Sequence, residues 1–216
     1  MISYILSPCF PARTYLFIIF LVSLTIGAYA QTSYRNELGG RITKTQFEEQ
    51  ILTGPYFGVP GELEGEMILV YRMPVGKVEN PSIFYEKTGN SSAFSEAKSL
   101  IVVFYPGPDE CNSNSSDFDV DAMKKADKSL RKWAEKRDAV PPIYLYKSQV
   151  GLEKYSMIMN WEDDPEDVFE EEFFTYPYPC KSFVVLHPSG EYRAILGDFP
   201  LSQIDQALKK LNRANK

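Results

Sequence analysis

Ser99-Leu100-Ile101-Val102-Val103-Phe104-Tyr105-Pro106-Gly107-Pro108-Asp109-Glu110-Cys111 joins an apolar, β-favouring run to a Pro-Gly-Pro break and then to a cysteine. An apolar run without polar alternation is the pattern of a strand buried on both faces of a sheet. Proline removes a ladder donor and glycine frees the backbone, so the strand stops there. The stretch reads as a buried strand that delivers a thiol to the start of a helix.

Downstream, a polar stretch over residues 112–116 precedes a long helix expected from about Asp117 to Arg137. Its apolar face is Val120, Met123, Ala126, Leu130, Trp133 and Ala134. Ser115 or Ser116 is expected to cap it, with Asp117 and Asp119 at the positive end of its dipole. Pro141-Pro142 closes that region, Ile143–Tyr146 is a strand, and a short helix is expected over Val150–Met159. Ser182–His187 and Glu191–Leu196 flank the turn Pro188-Ser189-Gly190 and read as a hairpin. A final helix is expected from Leu201 to Asn212, with Ile204, Ala207, Leu208 and Leu211 on its apolar face. Ser202 followed three residues later by Asp205 resembles a capping box.

Upstream, Ile83-Phe84-Tyr85 reads as a short strand, Thr88-Gly89-Asn90 as a turn, and Ser92–Lys98 as a short helix. Residues 31–79 form an N-terminal extension with two readable elements. One is a short helix capped by Thr43, carrying Phe47, Ile51 and Leu52, and stopped by Gly54-Pro55. The other is a strand over Glu66–Arg72 that ends at Met73-Pro74 and suits a sheet edge, with the segment Tyr56–Gly65 before it punctuated by Gly and Pro.

Residues 1–30 have the pattern of a secretory signal peptide: Arg13, the apolar run Tyr15–Val22, and the small-x-small signal Ala28-Tyr29-Ala30. The competing reading is an uncleaved membrane anchor. A lipoprotein is disfavoured because Cys9 precedes the apolar run. Export places the protein in a periplasm or outside the cell, with no membrane span after cleavage.

Arg13 is the only charge in that leader, so the formal net charge of −6 becomes −7 in the remaining 186 residues. An acidic balance excludes nucleic acid as a partner, since phosphate recognition needs a basic face. The segment Glu162–Glu172 holds eight carboxylates and no base, and without it the rest is near neutral. Phe169, Phe173 and Phe174 interleave with these acids, which favours a solvated loop or short helix pinned by aromatics over a cation site or a dock for a basic partner. A single histidine, His187, excludes multi-imidazole metal sites, and no cofactor is implied. Tyr176-Pro177-Tyr178-Pro179 reads as a rigid connector, and Asn90-Ser91-Ser92 and Asn114-Ser115-Ser116 match the glycosylation acceptor pattern. Only Cys111 and Cys180 lie beyond the leader, in a compartment where a disulfide persists if they are close enough.

Residues 82–212 thus read β-α-β-α-β-α, an acidic loop, a β-hairpin and a closing helix. This order resembles the thioredoxin-like fold, as do the local runs Ile101–Pro106 and Phe183–Gly190 followed by Gly197. The resemblance implies an α/β protein: a three-layer α/β/α sandwich with a mixed central sheet, spanning residues 80–216 with an acidic insertion at 162–174. It also implies that Cys180, in the loop before the penultimate strand, approaches Cys111. That loop usually holds a cis-proline in the family. Counting back from the Pro-Ser-Gly turn places Lys181 there, whereas the nearest prolines are Pro179 and Pro177.

The chain departs from the family's redox chemistry in having one cysteine at the helix start, not Cys-x-x-Cys. It departs from the peroxiredoxins in having Pro108 where they carry Thr or Ser, and Lys181 where they carry Arg. A non-classical, redox-inactive binding or accessory module in the cell envelope or outside the cell, with an unidentified protein as partner, is the first expectation. The enzyme alternative is a thiol-dependent oxidoreductase or peroxidase in which Cys111 attacks and Cys180 resolves. A copper site of Cys111, Cys180 and His187 is a lesser alternative. The exported product is expected to begin at Gln31, which N-terminal sequencing of the secreted protein checks; a product retaining residues 1–30 would mean an anchor.

Overall fold

The computed structural model describes residues 32–109, 111, 119–155, 158–176 and 178–215, and the expectations for the leader, for Ser115 or Ser116 as a cap, for Asp117 at the helix dipole, and for Pro177 lie outside them. The described chain is mixed α/β, with two mixed sheets and six α-helices among the described residues.

The larger sheet is built on the apolar run. β6 (Leu100–Tyr105) is buried at every residue and pairs antiparallel with β9 (Ser182–Leu186), itself buried throughout. β7 (Ile143–Tyr146) runs parallel to β6, and β8 (Trp161–Asp163) parallel to β7. On the other side β10 (Glu191–Ile195) returns antiparallel to β9, and β5 (Val75–Lys77) closes the edge, giving the order β5-β10-β9-β6-β7-β8. Side chains of a strand point alternately to opposite faces. Accordingly Leu100, Val102, Phe104, Val184 and Leu186 enter one core, while Ile101, Val103, Phe183 and Val185 enter another.

Helices cover both faces. α4 (Val120–Lys136) and α6 (Ser202–Ala214) bury Leu130, Ala134, Ile204, Ala207, Leu208 and Leu211 in the second core. Asp119 caps α4, its Oδ1 accepting the N–H groups of Asp121 and Ala122 at 2.9 and 3.0 Å. α2 (Ser82–Lys87), α3 (Ser91–Ser95) and α5 (Val168–Phe173) serve the first core through Phe84, Tyr85, Ala93, Phe169 and Phe173.

Four local expectations are corrected. Residues 83–85 belong to helix α2, not a strand: Pro81 presets a helical φ of −65° and adjacent Phe84 and Tyr85 are both buried, where a strand would alternate. The edge strand is instead β5. Glu66–Tyr71 (β4) is interior to a second sheet, ordered β2-β1-β4-β3, in which β1 is Ser33–Arg35, β2 Arg41–Ile42 and β3 Tyr56–Pro60. The Ser202–Asp205 box does not form, because Leu201 occupies the cap position and Asp205 pairs with Arg137 and Lys209. Over 150–159 the described residues show one 3₁₀ turn, Glu153–Tyr155, after Gly151 at φ +88°. The Thr43 cap does form, as a reciprocal box with Gln46 at the start of α1 (Lys44–Thr53).

The acidic segment folds as β8, a 3₁₀ turn at Pro165–Asp167, and α5. Phe169 and Phe173 lie 5.1 and 5.2 Å from the Phe84 ring, and Phe174 stacks on Phe104 at 4.6 Å. Lys87 and Lys147 pair with Glu166 and Glu170. Asp164 is 3% exposed, and its carboxylate accepts the N–H groups of Phe169 and Glu170 at 3.2 and 2.8 Å. Burial nevertheless outweighs these bonds and pushes Asp164 up to about 6.

An unfolded aspartate ionises near 4. Between about pH 4 and 6 the folded chain therefore holds a proton that the unfolded chain has released. This group's contribution to stability falls as pH rises through that window, by at most about 3 kcal/mol. Asp164→Asn should flatten the difference between urea denaturation at pH 4 and at pH 7 relative to the parent chain; an unchanged difference would show that Asp164 ionises normally.

Candidate functional site

Cys111 and Cys180 form a disulfide across 69 positions, with Cα atoms 5.2 Å apart. The pairing of β6 with β9 brings them together. Phe104 faces Ser182, so the chain entering β9 runs beside the chain leaving β6. Gly107, at φ +127°, turns that exit where a side chain would approach Ser148 within 3.3 Å. On the entering side Cys180 adopts φ +70°, a left-handed conformation that costs an L-residue roughly 1–2 kcal/mol. Its N–H donates to Asp109 Oδ2 at 2.7 Å, and the disulfide holds the same residue.

The two sulfur-bearing residues differ in exposure: Cys180 is buried, 7% exposed, whereas Cys111 is exposed. Beside them Tyr105 donates from its hydroxyl to the Val150 carbonyl at 2.9 Å, and burial, then Asp109 and Tyr155, push it up to about 12. The Lys181 ammonium lies 5.1 Å from the Tyr155 ring centroid, with the Lys154 ammonium 5.3 Å from the same ring. Burial first, and repulsion from Lys154 second, hold Lys181 below the ordinary lysine range, with Asp198 opposing. Every described peptide bond is trans, that of Pro179 included.

His187 follows the far end of β9, so the strand, roughly 16 Å long, separates it from Cys180. Its Nδ1 accepts the Ser189 N–H at 3.1 Å within the turn. The copper arrangement of Cys111, Cys180 and His187 is thereby excluded, and no cluster of metal-ligating side chains occurs among the described residues.

Sequence reasoning missed a cavity of about 190 Å³ beside Cys180, lined by Leu130, Met159, Trp161, Cys180, Lys181 and Phe199 among others. Its walls come from β6, β7, α4, β8, the loop entering β9 and the connection into α6, so no local pattern announces it. The available signal was Lys181, a charge placed between a cysteine and an apolar strand. A larger open hollow of about 530 Å³ lies elsewhere, lined by Lys136, Arg137, His187, Lys209 and Arg213. Its cations cluster at the C-terminal ends of α4 and α6, where helix dipoles favour positive charge without a ligand.

No protein-family model matches the chain, and no curated protein does. Among the described residues no helix is long and apolar enough to cross a membrane.

Closing a loop of this length stabilises a fold by about 4 kcal/mol on the chain-entropy estimate. Cys111→Ser, Cys180→Ser and the double variant should each lose about that much in urea denaturation. A double variant as stable as the parent would show that the bond contributes nothing to the fold.

Proposed function

We propose that the chain is an exported thioredoxin-like domain that acts as a binding or accessory module, with Cys111–Cys180 as a structural disulfide. The order β7-β6-β9-β10, with β6 and β7 parallel, β9 and β10 antiparallel, α4 between β6 and β7, and α6 closing the chain, supports the fold reading. It is the arrangement expected of that family, with an N-terminal sheet and the acidic segment as additions. Export is supported by the pattern of residues 1–30.

The observation that carries the structural role is the Asp109 carboxylate, held 2.7 Å from the Cys180 N–H. A neighbouring carboxylate disfavours a thiolate by like-charge repulsion, and a thiolate is what thiol exchange requires. The bond also joins two separate segments, whereas an exchanging pair of the family's common kind sits within one helical turn.

The difference in exposure between Cys111 and Cys180 favours the second reading, a thiol-dependent oxidoreductase. An exposed attacking sulfur and a covered resolving one are the arrangement such an enzyme uses. Alkylation and mass spectrometry of the exported protein across graded thiol redox buffers decide between them. The module reading expects the pair to stay oxidised down to below roughly −300 mV. Reversible reduction at roughly −120 to −270 mV would overturn it in favour of the enzyme.

A further inference from the structure

We infer that the cavity beside Cys180 is a binding site for a small monocarboxylate with an aromatic or branched aliphatic body, its carboxylate on Lys181 and its body against Leu130, Met159 and Phe199. This deepens the binding-module reading and rests on it.

Two observations converge. The cavity, about 190 Å³, is walled mostly by apolar side chains from six segments. Dry apolar cavities of about 150 Å³ accept benzene, so a ring or a branched chain of similar size fits. Lys181 lines the same cavity, is partly buried, and makes no ion pair among the described residues; its ammonium faces the Tyr155 ring. A partly desolvated cation with no salt bridge costs free energy, and a carboxylate placed against it relieves that cost. Trp161, also in the wall, has a buried indole Nε1–H without a hydrogen-bond partner. That N–H is closed off from the cavity, which Trp161 lines with the rest of its ring.

Two carboxylates also reach the cavity. Asp127 is already engaged, accepting from the Tyr144 hydroxyl at 2.7 Å and from Arg131 Nε at 2.8 Å, so its charge is compensated. Asp198 is exposed; its charge favours the Lys181 ammonium, but the two make no salt bridge. A cationic ligand would meet Lys181, and a purely apolar one would leave Lys181 without a salt bridge. An acid with an apolar body matches both the Lys181 charge and the apolar walls.

The test is a titration of the exported protein with 3-phenylpropionate, followed by calorimetry and by tryptophan fluorescence. 3-Phenylpropanol serves as the neutral analogue and acetate as the charge without the body. Saturable binding of the acid is expected, at least tenfold tighter than the alcohol, with acetate silent at the same concentrations. Lys181→Met should erase the difference between acid and alcohol while the alcohol's affinity holds. Ala126→Leu, which adds bulk to a partly buried wall residue, should weaken both at least tenfold. Absence of saturable acid binding in the parent chain, equal binding of acid and alcohol, or an unchanged preference in Lys181→Met would each overturn the site. Circular dichroism of each variant separates loss of binding from loss of fold. The redox titration reads the module by itself. A pair that resists reduction in a chain that ignores the acid overturns the ligand and keeps the module, whereas a pair that exchanges overturns the module whatever the acid does.

Discussion

The pairing of β6 with β9 is the constraint on which the rest depends. Both strands are buried at every residue, so each supplies side chains to both cores and neither tolerates a slipped register. A shift by one residue would exchange Val102 and Phe104 with Ile101 and Val103 between cores whose partners differ in shape. The first core is aromatic, fed by Phe84, Phe169, Phe173 and Phe174, whereas the second is met by the aliphatic faces of α4 and α6. The disulfide sits where this ladder ends, opposing separation of the two chains at the point where backbone pairing no longer holds them.

What could be read from the sequence follows from how much of an element's energy is local. β6, β9, β10, α4 and α6 were legible because burial writes a period, or an unbroken apolar run, directly into the residues. Thr43 and Gln46 were legible as a cap because the interaction lies within four residues. The segment 83–85 was misread because three apolar residues carry no period, and Pro81 was the stronger signal. β1, β2, β3 and β5 escaped because short strands draw their stability from partners distant in sequence. The Ser202–Asp205 pattern failed because Arg137 and Lys209 offered Asp205 charged partners stronger than a backbone N–H. Of the site, the two cysteines were visible, and their approach was expected only through the resemblance to the thioredoxin-like fold. The cavity was not visible, since its walls meet only after the sheet has formed.

The acidic segment shows how a sequence feature can suggest one role and serve another. Eight carboxylates invite a cationic ligand, yet the fold engages several of them singly. Glu166 and Glu170 hold lysines, Asp164 caps α5 from a buried position, and the phenylalanines between them close the first core. The elevated proton affinity of Asp164 is the cost of capping from inside: the N–H groups it accepts stabilise the charge, but burial removes more hydration than they replace.

The N-terminal sheet belongs to the same mechanical system as the cysteine loop. Phe57 of β3 packs on Tyr178, two residues before Cys180, at 5.6 Å, and the Arg72 guanidinium lies 4.4 Å from the Phe57 ring. Arg72 also donates to the carbonyls of Leu196 and Asp198, on either side of Gly197. At φ +77°, Gly197 has no room for a side chain, which would fall 2.8 Å from Phe57 and 3.3 Å from the Pro179 carbonyl. The loop carrying Cys180 is therefore clamped from three directions: by the disulfide, by Asp109, and by an aromatic wedge from the extension. Residues 33–71 thus do more than decorate the sheet. A left-handed Cys180 with a buried sulfur is a costly conformation, and the fold spends contacts from both sheets to keep it. Those contacts, drawn from both sheets, hold the loop in one conformation although the backbone at Cys180 does not favour it.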